Sequence, residues 1–506
     1  MSTSLLPSTR IHALPLAVAA SVCAAGLAAV CSASPILPVL GIAGIATAVL
    51  IWRDVDFATC LVLFVIYSNA AVVAVRFHGV PPLAANAVVG LLLIPLVFQA
   101  IVQRRGFVIG PSFPWIAAFA VIQLAGALCS IRPVSAWDEF WTFLQEGVLL
   151  YLLVVNAVRS EKCLRGATWA LVLAGIVMGG VPLYQQVTKT FESQYGGFAQ
   201  TGEEPGFSTG EVSAAGDVLQ QRLAGPIGEK NRYAQVMLML IPLGLLRVVR
   251  EQQPCLKLLA LTALFCAGAG MLLAFSRSAI VAGGMVVLFA AWLGCVSRRR
   301  VAIVMVLGLA ALLATPHYHT RLMSLLNLRE MLTAGRHSSA DGALKGRATE
   351  MGAAALVFLD YPLLGVGPGM FKYYSLEYGE RIGLRSLAPE RQAHCLLLAV
   401  AAENGAPGLL ALLGVFAVTG CGLYRAGRNE FGGGETRSAA TALLLVLAVY
   451  FITGLFLHFA FIRYFWLIVA LGDAAIVIAR QPDSQSSSDS LSQPVIVKTG
   501  PCLSQA

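Results

Sequence analysis

Apolar residues along this chain run together in long stretches that end at short clusters of Arg, Gly and Pro. An α-helix needs about 20 apolar residues to cross a hydrocarbon core. Stretches of that kind predict about fourteen membrane-spanning helices, near 13–31, 35–52, 57–75, 83–102, 113–130, 140–158, 167–185, 233–249, 256–275, 278–296, 301–315, 408–424, 438–457 and 463–479. A membrane β-barrel would show short segments alternating apolar and polar, whereas 259–275 and 441–457 are nearly unbroken. The expected class is therefore an all-α polytopic membrane protein with about 12–14 spans. The first apolar run has only Arg10 before it and more runs behind it, which fits a retained anchor better than a cleaved signal peptide.

The connections fall into two sets. One alternating set carries Arg53, Arg104, Arg105, Arg159, Lys162, Arg165, Arg247, Arg250, Lys257, Arg298, Arg299, Arg300, Arg425, Arg428 and Arg437, while the opposite short connections hold only Arg76, Arg132, Arg277 and Arg463. Basic residues mark the cytoplasmic side, so both termini are expected there. The same count places the two long connections, 186–232 and 316–407, on the non-cytoplasmic side. The first is rich in Gly, Ser and Glu over 195–217 and reads as a flexible, solvated segment. The second holds two helical patterns, 342–359 and 389–404, joined by Pro362-Leu-Leu-Gly-Val-Gly-Pro-Gly369. The expected units are N-terminal transmembrane helices (1–185), a flexible outer loop (186–232), central transmembrane helices (233–315), a helical outer loop domain (316–407), C-terminal transmembrane helices (408–480) and a Ser-rich disordered tail (481–506).

Composition sharpens the class. Of 506 residues, 58% are hydrophobic and 12% charged, and the mean hydropathy is +0.77, outside the usual composition of a soluble globular domain. The net charge of +9 raises nucleic acid as a partner. The basic residues sit at helix ends rather than on a stripe interleaved with aromatics, so they report topology and no nucleic acid is expected. Eleven cysteines are scattered, with no CxxC and no metal-ligand spacing. No repeat of spans is evident, and acidic residues are nearly absent from mid-membrane, with Asp54 and Asp473 near exceptions. Both features weigh against a transporter.

The residues able to do chemistry gather on the outer connections. Arg222-Leu-Ala-Gly-Pro-Ile-Gly-Glu-Lys-Asn231 leads into one span, and Phe275-Ser-Arg-Ser-Ala279 forms the tight connection between two others. Arg347 lies on the first loop helix and His394 is expected on the second, before Ala402-Glu-Asn-Gly-Ala-Pro-Gly408. In the order and spacing of these pieces, together with Tyr361-Pro-Leu-Leu-Gly-Val-Gly-Pro-Gly-Met-Phe371, the chain resembles the O-antigen ligase and O-antigen polymerase superfamily of bacterial membrane glycosyltransferases over roughly residues 220–425. Many members carry Asn directly after the loop histidine, where this chain has Cys395.

The resemblance implies a GT-C-like, all-helical membrane glycosyltransferase fold in the bacterial inner membrane, with a periplasmic active site. It implies an undecaprenyl-pyrophosphate-linked oligosaccharide or polysaccharide as donor and a glycan or the lipid A core as acceptor, in lipopolysaccharide or exopolysaccharide assembly. It further implies that no metal, nucleotide or other cofactor is needed. Ligase and polymerase break the same linkage and differ in acceptor, so both stay open. A lipid-linked glycan flippase or other transporter, and a non-catalytic partner of an export complex, are the rivals from other classes.

Physical chemistry gives an independent reason for these residue types. A guanidinium is always charged and can grip phosphate oxygens through two N–H groups. Arg277, Arg347 and Arg222 are therefore candidates to bind the donor pyrophosphate and to stabilise charge growing on the leaving group. An acceptor hydroxyl needs a base, and His394 is the candidate catalytic residue. Glu403 is a supporting candidate that orients a partner or caps a turn. Each has a structural alternative: a snorkelling anchor for Arg277, pairing with Glu350 or Asp341 for Arg347, a headgroup contact for Arg222, and a buried core histidine for His394. The glycine-rich turn is either a phosphate cradle or, more simply, a tight corner between helices.

Overall fold

Lipid offers no partner to a backbone N–H, so each long apolar stretch closes its hydrogen bonds within itself as a helix. In the computed structural model, which describes residues 50, 54–201, 210–212, 218–314, 342–428, 433–460 and 462–481, helices cover the expected spans from 57 onward. The two spans expected at 13–31 and 35–52 lie outside the described residues, as do His317, His319, His337 and the tail beyond Gln481.

In chain order the helices are α1 (Val55–Tyr67), α2 (Ala70–His78), α3 (Pro82–Gly90), α4 (Leu93–Ile101), α5 (Phe113–Cys129), α6 (Pro133–Ala157), α7 (Glu161–Thr188), α8 (Lys230–Arg250), α9 (Pro254–Leu273), α10 (Arg277–Trp292), α11 (Arg298–Ala314), α12 (Gly342–Asp360), α13 (Phe371–Ile382), α14 (Leu396–Arg428), α15 (Gly434–Gly454) and α16 (Ile462–Ala479). Among the described residues, seven are long and apolar enough to cross a membrane, and the α1–α2 pair, bent by 57°, makes an eighth. The protein is an all-α polytopic membrane protein.

Four short strands precede α8: β1 (Gln200–Thr201) pairs antiparallel with β4 (Leu223–Gly225), and β2 (Gly210–Val212) with β3 (Val218–Gln221). Within the connection expected to be flexible, β1 and β4 tie the two described ends together by ladder pairing, and its residues Ala199, Leu223 and Ala224 are fully buried.

The helix ends sort into two layers. Thr188, Lys230, Leu273, Arg277, Leu396, Gly454 and Ile462 terminate at one end of the bundle; Glu161, Arg250, Pro254, Arg428, Gly434 and Ala479 terminate at the other. The second end is closed by a salt-bridge network. Glu251 Oε2 lies 2.5 Å from Arg165 Nη2, Glu251 Oε1 accepts from Trp169 Nε1 at 2.9 Å, and wholly buried Arg247 pairs with both Glu251 and Glu435. Asp473, the acidic residue inside a span, is likewise satisfied: it accepts from Ser112 N and Ser112 Oγ at 2.9 Å and from Tyr151 Oη at 2.5 Å.

The loop unit is an α12–α13 hairpin closed by a glycine-rich turn. Gly365, Gly367 and Gly369 have φ of 67°, 102° and 70°, a region open to glycine. Val366 N and Gly367 N donate to Ala402 O and Glu403 O at 3.0 Å, and Ala406 N donates to Pro362 O at 2.7 Å. Those amides are occupied, so the turn is a corner docked on α14 rather than a phosphate cradle. It docks where α14 kinks at Gly405, with φ 65° and ψ −171°. Residues 396–404 form the helical stretch before the kink, and the rest of α14 follows it.

A Cβ at Gly405 would stand 2.3 Å from the Leu363 carbonyl oxygen. Gly405→Ala is expected to cost about 1–3 kcal/mol from backbone strain before any clash, read as a lowered thermal midpoint in detergent. Gly268→Ala, where nothing lies within 4 Å, is expected to be neutral or slightly stabilising.

Candidate functional site

The site grows from the start of α8. Glu229 caps this helix, its carboxylate accepting from Asn231 N at 3.0 Å and Arg232 N at 2.6 Å, where a negative charge meets the helix dipole favourably. The cap fixes two consecutive side chains, and they reach in different directions. Asn231 Oδ1 accepts from Arg222 Nη2 at 3.2 Å and from Ser276 Oγ at 3.1 Å. Arg232 donates through Nη1 to Gln235 Oε1 at 2.7 Å and through Nη2 to His458 O at 2.5 Å.

Asn231 therefore anchors the α9–α10 hairpin. Arg222 Nε donates to Ala274 O at 2.9 Å, Phe275 turns the chain with a left-handed φ of 48°, and Ser276 stands just before α10 with its hydroxyl turned to Asn231 and Ser278. Arg277 follows as the first residue of α10, half-buried at the same end of the bundle as the start of α8. The buried Arg222 guanidinium knits the connection before α8 to this hairpin.

Arg232 leads to the other half. The His458 ring, in the α15–α16 connection, packs edge-on to the His394 ring with centroids 5.7 Å apart. Desolvation, then the positive charge of Arg232, holds the His458 imidazole well below its ordinary range, so it is neutral. His394 Nδ1 lies 2.8 Å from Glu350 Oε2 and 3.2 Å from Gln392 O. Glu350 Oε1 accepts from Arg391 Nε at 2.7 Å. Glu350 is on α12, one turn beyond Arg347, so the loop helix brings both to the same end of the unit.

Three differences from the sequence reading follow. His394 is not on a helix: it stands two residues before α14 in an ordered turn with φ 44°, held there because its ring and Arg391 converge on one buried carboxylate. The helix α13 was not expected at all. Glu403, expected further along the same helix as His394, instead accepts from Phe371 N at 3.4 Å and so meets the start of α13.

Sequence reasoning also missed Arg232, His458, Glu350 and Arg391 as parts of the constellation. Arg232 adjoins the Lys-Asn pair and has Gln235 three residues on, which was a usable signal. A further polar contact lies nearby in the bundle: Arg463 pairs with Glu146 Oε1 at 3.1 Å, within a π-helical segment of α6, and donates to Asn69 Oδ1 at 2.6 Å. Asn69, at the α1–α2 bend, donates to Pro226 O at 2.7 Å. The Gly-Pro-Ile-Gly stretch is thereby tied to this polar layer.

Residues 262–413 match the family model described as O-antigen ligase. The matched segment contains Arg277, Arg347, Glu350, Arg391, His394 and Glu403, and it supports placing the chain in the O-antigen ligase and polymerase superfamily. It supports an O-antigen ligase-like, membrane-bound glycan-processing function. A comparison with curated proteins finds no match.

Burial pushes the Glu350 carboxyl up, but the hydrogen bond and charge of His394, with Arg391, outweigh it and hold it below its ordinary value. A lowered folded-state value means that its stabilisation is full above the unfolded carboxylate value, near 4.3. It is lost as pH falls through the folded value. The thermal midpoint of wild type is expected to exceed that of Glu350→Gln at neutral pH, and the gap is expected to close on acidification below about pH 4.

Proposed function

We propose that the protein is a membrane glycosyltransferase that moves a glycan from an undecaprenyl-pyrophosphate carrier to an acceptor hydroxyl at the periplasmic face of the bacterial inner membrane. The observation that carries this reading is the convergence at the start of α8, where neighbouring residues Asn231 and Arg232 bind the Arg277 hairpin and the His458–His394 pair. Basic residues crowd the opposite end of the bundle, including Arg165, Arg247, Arg250, Arg425 and Arg428. By the charge rule that end is cytoplasmic and the His394 end faces outward.

In the proposed reaction Arg277 and Arg347 bind the donor diphosphate, and Arg222 adds charge while fixing the hairpin. Nε2 of His394 takes the acceptor proton as the oxygen attacks the anomeric carbon. The bond from that carbon to the pyrophosphate oxygen breaks with its electron pair on the leaving lipid pyrophosphate, whose growing charge the guanidinium groups stabilise. His394 then releases its proton to water. Arginine charge fills the role a divalent ion has in other phosphate chemistry, so the reaction is metal-independent. Glu403 supports the site from beneath by holding α13 to α14. The acceptor is the lipid A core in a ligase and a growing glycan in a polymerase.

In proteoliposomes supplied with a lipid-pyrophosphate-linked oligosaccharide, one-step transfer to a lipid A core identifies a ligase and ladder-like growth a polymerase. Movement of intact donor across the bilayer without a product would instead support a flippase and overturn the reading. His394→Ala is expected to lower transfer by about 100-fold or more. Arg277→Lys is expected to lower it by about 10-fold or more, because a point charge lacks the fork.

Sidedness has its own test. In a cysteine-free background, Leu363→Cys, at a position 73% exposed on the loop unit, is expected to react with an impermeant maleimide in spheroplasts. Arg428→Cys is expected to react only after permeabilisation.

A further inference from the structure

We infer that Glu350 is a positioning residue for His394, fixing the imidazole in the tautomer that carries its proton on Nδ1 and leaves Nε2 free to accept one. The inference rests on the transfer reading above and adds to it the group that makes the base competent.

The neighbours of Nδ1 are both acceptors. Glu350 Oε2 is at 2.8 Å and Gln392 O at 3.2 Å, and an ionised carboxylate and a carbonyl have no proton to give. In the neutral ring the proton must therefore sit on Nδ1, and the lone pair on Nε2. The carboxylate is kept ionised and in place by its surroundings. Its side chain is 0% exposed, and its Oε1 is held at 2.7 Å by Arg391 Nε, which leaves Oε2 buried, without a hydrogen bond of its own and 2.8 Å from His394 Nδ1.

The backbone agrees with this assignment. A non-glycine residue with φ 44° is uncommon and persists only where its surroundings over-determine it. Arg391 N donates to Ser375 Oγ at 3.1 Å, and Cys395 O starts the α14 ladder by accepting from Ala399 N at 2.8 Å. The His394 turn is pinned on both sides while its ring meets Glu350. When Nε2 takes the acceptor proton, the ring becomes an imidazolium with N–H groups on both nitrogens. The Glu350 charge then faces the new positive charge, which stabilises the state in which the glycosyl bond breaks.

The test uses the full chain in proteoliposomes and in detergent, at a temperature where each variant is folded by gel filtration. Glu350→Gln keeps the shape and removes the charge. It is expected to lower kcat by about 100-fold or more while changing the donor KM less than about threefold. Glu350→Asp, with the charge one methylene back, is expected to recover part of that loss. A role confined to packing would leave kcat unchanged in folded protein.

The second readout is ¹⁵N NMR of histidine-labelled protein, with the His394 signals identified by their loss in His394→Gln. Wild type with a neutral imidazole is expected to show a protonated Nδ1, and Glu350→Gln a shift toward protonated Nε2. An Nε2-protonated wild type, or Glu350→Gln with near-wild-type kcat, would overturn the assignment. If wild type transfers no glycan although the Nδ1 signal behaves as described, the transfer reading fails while the Glu350–His394 pairing stands.

Discussion

Glu350 is a carboxylate shut away from water, and an ion in that position costs several kcal/mol unless partners surround it. Arg391 takes one oxygen and His394 approaches the other, so the chain segment that carries both must lie across α12. That placement sets the left-handed turn at His394, the starting point of α14, and the contact of the His394 ring with His458. From His458 the chain of contacts continues through Arg232 to the start of α8 and on to the hairpin that bears Arg277. The arrangement at this end of the bundle follows from the demands of one buried charge.

The two ends of the bundle handle charge differently. At the basic end, Arg165, Arg247, Arg250, Glu251 and Glu435 pair with one another, and Arg247 is completely enclosed. Such a network locks α7, α8 and α15 together, because removing one partner would strand the others. At the other end Arg277, Arg347 and Arg391 are half-buried beside the long loops.

Hydropathy located the helices because lipid leaves the backbone few choices, a long apolar stretch being driven to form a helix, but it expected twelve spans from residue 57 onward where, among the described residues, seven helices and one bent pair are long and apolar enough to cross. It could not say where a helix would bend. The Asn69 break in the first described pair and the Gly405 kink in α14 depend on neighbours, the α16 residue Arg463 in one case and the docked turn at Leu363 in the other. Helix α13 went unseen because Lys372, Tyr373, Tyr374 and Glu377 give a short, mixed pattern with no apolar run. Glu350 was visible only as a neighbour of Arg347, since residues three apart on a helix can always pair, and nothing in the sequence announced that it would point to a histidine 44 positions later.

Composition and order alone determined that this chain lives in a membrane and is helical, because those follow from solvation and from local pattern, while the arginines and the histidine to consider came from the resemblance to a known family. Tertiary structure alone decided that Arg222, Asn231 and Ser276 form one knot, that Arg232 ties it to His458 and His394, and that a buried glutamate stands behind the imidazole. The reason is physical: desolvation acts on each residue according to its own chemistry, whereas a hydrogen bond between residues far apart in sequence depends on where the whole bundle brings them.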